Sequence, residues 1–581
     1  MSNHSRHKFR FLIILAVFLG CLALAVNVLL MNADRLLTGY ADYKLREALA
    51  KSDSFDMSYS RLDLNLAKGT VSLSDVSFSK DSLKAIAKKI ETGNIDLRKV
   101  WKTRELLLDY IKADGVKVSY VQTPNTKSIA KDTAKKPEGV KLSGLQNYLD
   151  TIGVEKVILN GGDFSFRRLG SHLALGVGDI ILGLGDFGYG ISSGKFSYCD
   201  SLYDLRVNNL AFISADGLYA LSADTLATKN SGSIAISSLH GRNTVGKREL
   251  SAIKGKIPAS WTDLRIKHLR TSAINLARMV CSRKISIDSI FVTGEQLTVF
   301  RDNRYAPKKA FKMLQESLTS ISTPLHIGYV DLSMPYLTME ILPQKGKTGA
   351  LHLHDVSAVV RKISNAPENT MEARIRPRLG KGRGDLHLNL KNDNNCSFSV
   401  KALVNNVKGS DFESLLKPMF GVSVSADIKS LNSSVSADRH SASGSFCMLY
   451  ENLKVTVEDP AILGKRFSNK VGLVNKLAGA AIHKQNPRKH QEEPYSCEVS
   501  ATRDPMKNFG GYLVSVLLDG MEKTCLRELT YKEAEKLKSK GNEIKEKKNA
   551  IFEKVKDTKE KVKDKKEKLK EKIKNKKNST L

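Results

Sequence analysis

Three short runs in this 581-residue chain hold residue types that do chemistry, and their neighbours decide what each run can be. Gly183-Leu184-Gly185-Asp186-Phe187-Gly188 has the glycine spacing of a loop that brings backbone amides to a dinucleotide pyrophosphate at a helix N-terminus. Gly190, Ile191, Ser192, Ser193 and Gly194 follow and cannot start that helix, so the run reads as a turn between strands. His352-Leu353-His354-Asp355 places two imidazoles on one strand face, the beginning of a metal site. Leu351 and Leu353 occupy the other face, so the histidines read as the solvent side of an amphipathic strand. Arg383-Gly384-Asp385 lies in a Gly and Arg cluster and reads as a turn. No serine elbow, P-loop or paired-carboxylate signature stands out. The seven cysteines, at 21, 199, 281, 396, 447, 497 and 525, form no CxxC and no tight cluster for zinc. The reading is a non-enzymatic protein with no catalytic residue, cofactor or metal.

If the chain does not do chemistry, its charge and its apolar pattern carry the argument. Its 93 Lys plus Arg against 61 Asp plus Glu give a formal charge of +32, which favours anionic partners such as lipid head groups, lipopolysaccharide or nucleic acid. The length suits two to four ordinary domains or one elongated repetitive one.

Residues 11–31 are apolar or Gly except Asn27, long enough to cross a hydrocarbon core of about 30 Å as a helix. Arg6, Lys8 and Arg10 precede this run, so residues 1–10 are expected in the cytoplasm and the bulk of the chain outside it. Ala23-Leu24-Ala25 offers a cleavage site, but Val26 and residues 28–31 continue the apolar run past it, as an uncleaved anchor does. Leu19-Gly20-Cys21 faintly matches a lipoprotein box, with apolar residues where a lipidated terminus would leave the bilayer.

Behind the anchor, 36–51 reads as an amphipathic helix through Leu37, Tyr40, Leu45 and Leu49, within a juxtamembrane region at 32–56. From about Met57 the period becomes two: Leu62, Leu64 and Leu66, a Lys68-Gly69 turn, then Val71 and Leu73. Two patterns then recur. In the first, apolar residues stand at n, n+2, n+7 and n+9 with Gly or Pro between the pairs. Its copies are Ile111, Ala113, Val118, Tyr120; Val157, Leu159, Phe164, Phe166; Ile290, Val292, Leu297, Val299; and Val330, Leu332, Leu337, Met339. The second steps from one apolar face to the other at Asp75, Asn209, Asp355 or Asn452, which reads as a bulge or turn entry. The expected architecture is mainly β with a few helices: a long, curved, antiparallel, groove-like sheet over 57–525.

Helices are expected at 308–319, at 410–420 with Ser410 and Glu413 in capping-box spacing, and after an Asp504-Pro505 cap, holding Tyr512, Leu513, Val516 and Leu517. Residues 123–141 read as an exposed mobile loop. The tail, 526–581, reads as a lysine-rich charged helix with a thin seven-residue stripe that supports weak coiling or surface binding.

The anchor, the opening Tyr59-Ser60-Arg61-Leu62-Asp63-Leu64 with Gly69-Thr70-Val71-Ser72-Leu73, and strands such as Val154 to Phe166 together carry a likeness. So do Asn486-Pro487 and Arg503-Asp504-Pro505 towards the C-terminus. Over about residues 8–525 the chain resembles the AsmA-like family, in its shorter Bacteroidota-type form. The resemblance implies a single-pass inner-membrane protein facing the periplasm, related to bridge-like lipid transfer proteins and active in envelope lipid homeostasis or outer-membrane assembly. Phospholipid or another envelope lipid is then the partner, with Val157, Leu159, Phe164, Phe166, Ile290, Val292, Leu297, Val299, Val330 and Leu332 lining the groove. The same alternation also describes a sandwich packed on itself. A structural tether holding anionic envelope polymers through the tail is the alternative function. Nucleic-acid binding by the tail requires it to be cytoplasmic, against the expected orientation.

Overall fold

The computed structural model describes residues 34–50, 55–65, 69–93, 102–123, 150–190, 195–228, 232–253, 260–274, 284–305, 310–458, 479 and 481–527. The apolar run at 11–31, nearly all of the expected loop at 123–141 and the lysine-rich tail lie outside the described residues. No helix among the described residues is long and apolar enough to cross a membrane.

Among the described residues, period-two alternation gives twenty-one strands: β1 (Asp56–Ser58), β2 (Arg61–Asn65), β3 (Thr70–Lys80), β4 (Leu83–Gly93), β5 (Glu105–Asp114), β6 (Lys117–Gln122), β7 (Thr151–Arg168), β8 (Ala174–Gly190), β9 (Lys195–Ile213), β10 (Tyr219–Thr228), β11 (Ser233–Asn243), β12 (Ser260–Ala273), β13 (Ile285–Asp302), β14 (Leu325–Leu342), β15 (Gly349–Ser364), β16 (Thr370–Leu379), β17 (Gly382–Lys391), β18 (Phe398–Lys408), β19 (Val422–Ala437), β20 (Ser441–Val457) and β21 (Ser496–Thr502). All belong to one curved sheet and follow one another across it in chain order. With β1 and β2 both on β3, and β5 and β6 both on β7, they fill nineteen positions, a contour of roughly 85 Å at about 4.8 Å per strand.

The sheet departs from the expected all-antiparallel form at two places: β5 and β6 run parallel to β7, and β13 runs parallel to β14. Parallel neighbours need a crossover. The second crossover, 303–324, carries a short helix that packs at the far end of the sheet.

Five helices are described: α1 (Asp34–Ala50), α2 (Lys247–Ile253), α3 (Leu314–Thr319), α4 (Glu413–Phe420) and α5 (Phe509–Cys525). In α1 the buried stripe is Ala41 and Leu45, whereas Tyr40, expected on it, is 48% exposed. Helix α3 is shorter than expected, because 310–313 stay non-helical and send Met313 into the core. Before α4, a 3-10 turn (Gly409–Phe412) is closed by Asp411, whose carboxylate accepts from the Lys408 amide at 2.9 Å; Ser410 and Glu413 do not form the expected box. Helix α5 starts at Asn508, whose Oδ1 accepts from Gly511 N at 2.9 Å, while Asp504 instead caps a turn at Met506 N. The turn that Asp504 closes, with Lys507 N donating to Asp504 O, precedes the helix, so the cap falls to Asn508, a residue type as well suited to it as Asp.

Buried side chains gather near the N-terminal end, where Leu73, Leu106 and Leu108 are fully buried, and in a continuous core at the C-terminal end. Phe446, Tyr450 and Met313 are fully buried there with Tyr512 and Val516 of α5, and Phe398 meets Tyr512 edge-on. Burying each such side chain stabilises by about 1.5–3 kcal/mol. Helix α5 also shields the outer edge of β21: Asp519 accepts from Ser500 N at 3.0 Å, and Lys523 Nζ donates to Glu498 O at 3.0 Å. That blocks further strand addition at this edge.

Candidate functional site

The repeat found in the sequence is the register of the two parallel pairings. Ile111, Ala113, Val118 and Tyr120 stand opposite Val157, Leu159, Phe164 and Phe166. Ile290, Val292, Leu297 and Val299 stand opposite Val330, Leu332, Leu337 and Met339. Directly opposed residues share a face, so the ten expected groove residues fall into two clusters on one face of the sheet.

The interruption between n+2 and n+7 is also structural. Traced through the register, it is a seam crossing the sheet through Asp75 (β3), Lys88 (β4), Gly115 between β5 and β6, Gly161 (β7), Asp179 (β8), Asn209 (β9), Asp224 (β10), Ser238 (β11), Lys267 (β12), Gly294 (β13), Pro335 (β14), Asp355 (β15), Pro377 (β16) and Gly384 (β17). The β17–β18 ladder is unbroken from Arg383 to Leu390, and a separate interruption lies at Asn406 in β18 and Asn452 in β20. Asp75, Asp179, Asn209, Ser238, Asp355, Asn406 and Asn452 all have left-handed backbone, with φ between 48° and 56°. All four Asp or Asn residues of the second sequence pattern are among them. Asp and Asn tolerate this conformation better than most residues, and here neighbouring segments hold their side chains: Ser60 Oγ donates to Asp75 at 2.8 Å and Asn208 Nδ2 to Asp179 at 2.6 Å. The two prolines fall where the ladder is interrupted, so their missing N–H costs no pairing. From β3 to β15 one residue is spent on the bulge at the seam, and the apolar parity of the sequence switches to keep one face apolar; β16 and β17 cross it without a switch.

Two apolar rows result, one on each side of the seam. On one side Val207, Leu226, Ile236, Leu269, Val292, Leu332, Ala358, Ile375 and Leu386 stand each opposite the next from β9 to β17. On the other, Tyr120, Phe166, Leu175, Phe212, Leu221, Gly241, Leu264, Leu297, Leu337 and Leu353 do the same from β6 to β15. Val207, Ala223, Ile266, Val292, Met334 and Val356 are buried, and each lies within two residues of the seam. Away from it the face is half-buried from β9 to β15, where Leu221 and Met339 keep 37% and 42% of their surface, whereas Leu106 and Leu108 on β5 and Ile152 and Val154 on β7 are buried. A second sheet would cover those positions in a sandwich. Helices α2 and α4 sit at strand ends, with Leu250 against Leu218 and Trp261, and Ser414 Oγ on Ala350 O. Towards β20 the face passes under α5 and is closed.

The sequence identified Val157, Leu159, Phe164, Phe166, Ile290, Val292, Leu297, Val299, Val330 and Leu332 on this face, and the fold brings them together in two groups of neighbours. It missed Leu175, Leu226, Ile236, Leu264, Leu269, Ile375 and Leu386. Their signal was plain alternation, which does not say which alternating strands adjoin.

A buried carboxylate marks one border. Asp302, fully buried, accepts from Arg304 Nε at 2.9 Å and Arg304 N at 3.1 Å, and the Arg304 side chain holds its carboxyl below the usual range. At position 301 burial pushes the guanidinium pKa down, and Phe311 stacks on it.

The three chemical runs resolve differently. Gly183 to Gly188 lie within strand β8, not in a turn, since Gly183 pairs with both Ile158 and Asp204. Arg383-Gly384-Asp385 is likewise strand, in β17, with Gly384 at the seam against Pro377. His352 Nδ1 lies 3.2 Å from Thr338 Oγ1, and His354 bonds Gly380 O and Asp355. Among the described residues no three His, Cys, Asp or Glu side chains are grouped to hold a metal.

No family model matches the chain, and no curated protein matches it.

Proposed function

We propose that this chain is a membrane-anchored, non-enzymatic lipid-binding protein of the AsmA-like kind, which holds or moves envelope lipids along the apolar face of its sheet. The observation that carries the reading is the pair of unbroken, half-buried apolar rows flanking the seam. An acyl chain laid along them removes apolar surface from water on both partners, at about 0.8 kcal/mol per buried CH2. Between them the two rows reach from β6 to β17, roughly 50 Å at about 4.8 Å per strand. One leaflet of hydrocarbon is about 15 Å thick, so the face is long enough for several lipids in file. An anchor at 11–31 leads into α1, which packs on β1 and β2, so lipids enter at the N-terminal end in this reading.

The test is lipid extraction and mass spectrometry on the purified full-length chain, beside Leu297→Asp/Leu337→Asp. Phospholipid should accompany the wild type and fall at least fivefold in the variant, with far-ultraviolet circular dichroism unchanged. Lipid-free wild type, or a well-folded variant that keeps its lipid, would end the reading.

A further inference from the structure

We infer a second lipid-facing surface on the opposite face of the sheet: an arginine patch on β15 to β18 that docks on a bilayer bearing anionic phosphate head groups. Tyr336, His354, Arg378 and Arg383 form one register row on that face, each directly opposite the next. Arg374, Arg376 and Lys401 flank the row on the same face.

The charges there do not balance. Asp385 is shared by Arg374, whose Nε lies 2.9 Å away, by Arg376 at 3.5 Å and by His387 at 3.2 Å. Asp355 serves Arg378 at 3.4 Å and His354 at 3.1 Å. Arg383 and Lys401 have no acidic partner among the described residues. Five full cations therefore face two carboxylates, and two guanidiniums, Arg378 and Arg383, stand directly opposed, an arrangement that destabilises a sheet unless an anion lies between them.

The chemistry of these groups selects the occupant. Guanidinium forks match phosphate oxygens in a bidentate way that lysine does not. Tyr336, 67% exposed at the flank of the row, has the amphipathic ring that settles at head-group depth. A lipid surface uses both. The inference does not depend on the groove, because the two lie on opposite faces.

The experiment uses the full chain in phosphatidylcholine nanodiscs, sedimented with heavy vesicles of phosphatidylcholine alone or with one-third phosphatidylglycerol. Capture by the anionic vesicles only, weakened by 0.5 M salt and at least fivefold lower in Arg378→Gln/Arg383→Gln, supports the patch. Arg383→Gln alone, at an exposed position without an acidic partner, gives a smaller loss and serves if the double variant fails to fold. Unchanged capture by these variants overturns the inference. So does an equal loss in Lys565→Gln/Lys566→Gln, which removes the same charge from the tail. Binding of labelled dextran sulfate that the arginine variants lose, with vesicle capture intact, would assign the patch to a polyanion instead.

Discussion

Met334 occupies the space that a side chain on Gly294 would need: a β-carbon at position 294 would lie 2.5 Å from the Met334 sulfur and 2.9 Å from the Ser333 carbonyl oxygen. Both residues lie at the seam, on parallel neighbours β13 and β14, where the face is most completely buried. Gly294→Val should therefore destabilise the central sheet by about 1–3 kcal/mol through overpacking. Met334→Ala in the same chain should recover only part of this, because the Ser333 carbonyl cannot yield. Denaturant unfolding of the two single variants and the double variant checks it, and additive losses would show that the two side chains do not compete for space.

The open and closed parts of the apolar face should differ in energy. Each strand packs mainly on its two neighbours, so the comparison is best made locally, by hydrogen exchange. Phe446→Ala, under α5, should cost about 3–5 kcal/mol of protection in β20. Leu332→Ala, half-buried in β14, should cost β14 no more than about 1–2 kcal/mol. Equal losses would mean that the middle of the face is packed and not open.

Asn209, at φ 53°, separates a bulge requirement from a side-chain requirement. Asn209→Gly should leave the thermal midpoint unchanged or slightly raised, and Asn209→Val should cost about 1–2 kcal/mol, since a β-branched residue is strained in left-handed backbone. If Val is tolerated as well as Gly, the seam does not depend on that conformation.

Asp302 gives the sheet an acid-sensitive contact. Its folded pKa is lowered by Arg304, so its contribution is complete above the ordinary carboxylate range near pH 4 and is lost as pH falls through the lower folded value. Asp302→Asn should lower the denaturation midpoint at pH 7 and lose less on going to pH 2 than the wild type does. Parallel pH curves for the two proteins would contradict the assignment.

Much of this was legible in the order of residues. Alternation announced strands, and the n, n+2, n+7, n+9 spacing announced both the apolar face and its interruption. Asp75, Asn209, Asp355 and Asn452 could be read as bulges or turn entries because few other residue types accept left-handed backbone, and the register sets each at a break in the ladder inside a strand, as a bulge does. The glycine run in β8 and Arg383-Gly384-Asp385 were misread as turns. Glycine permits a turn but does not compel one, and neighbouring strands on both sides held each run extended.

Residue order therefore carries local information: which residues alternate, where parity switches and which side of each strand is apolar. Which strands adjoin is a property of the folded sheet. The match of Ile290 with Val330 and of Ile111 with Val157 arises from parallel pairing across long crossovers, and the joining of separate apolar pairs into continuous rows depends on the register of every strand between them. Pairing over such separations is set by the summed packing of many neighbours, which no window of a few residues contains. The same holds for Arg378 and Arg383, ordinary surface arginines in the sequence and opposed charges in the sheet.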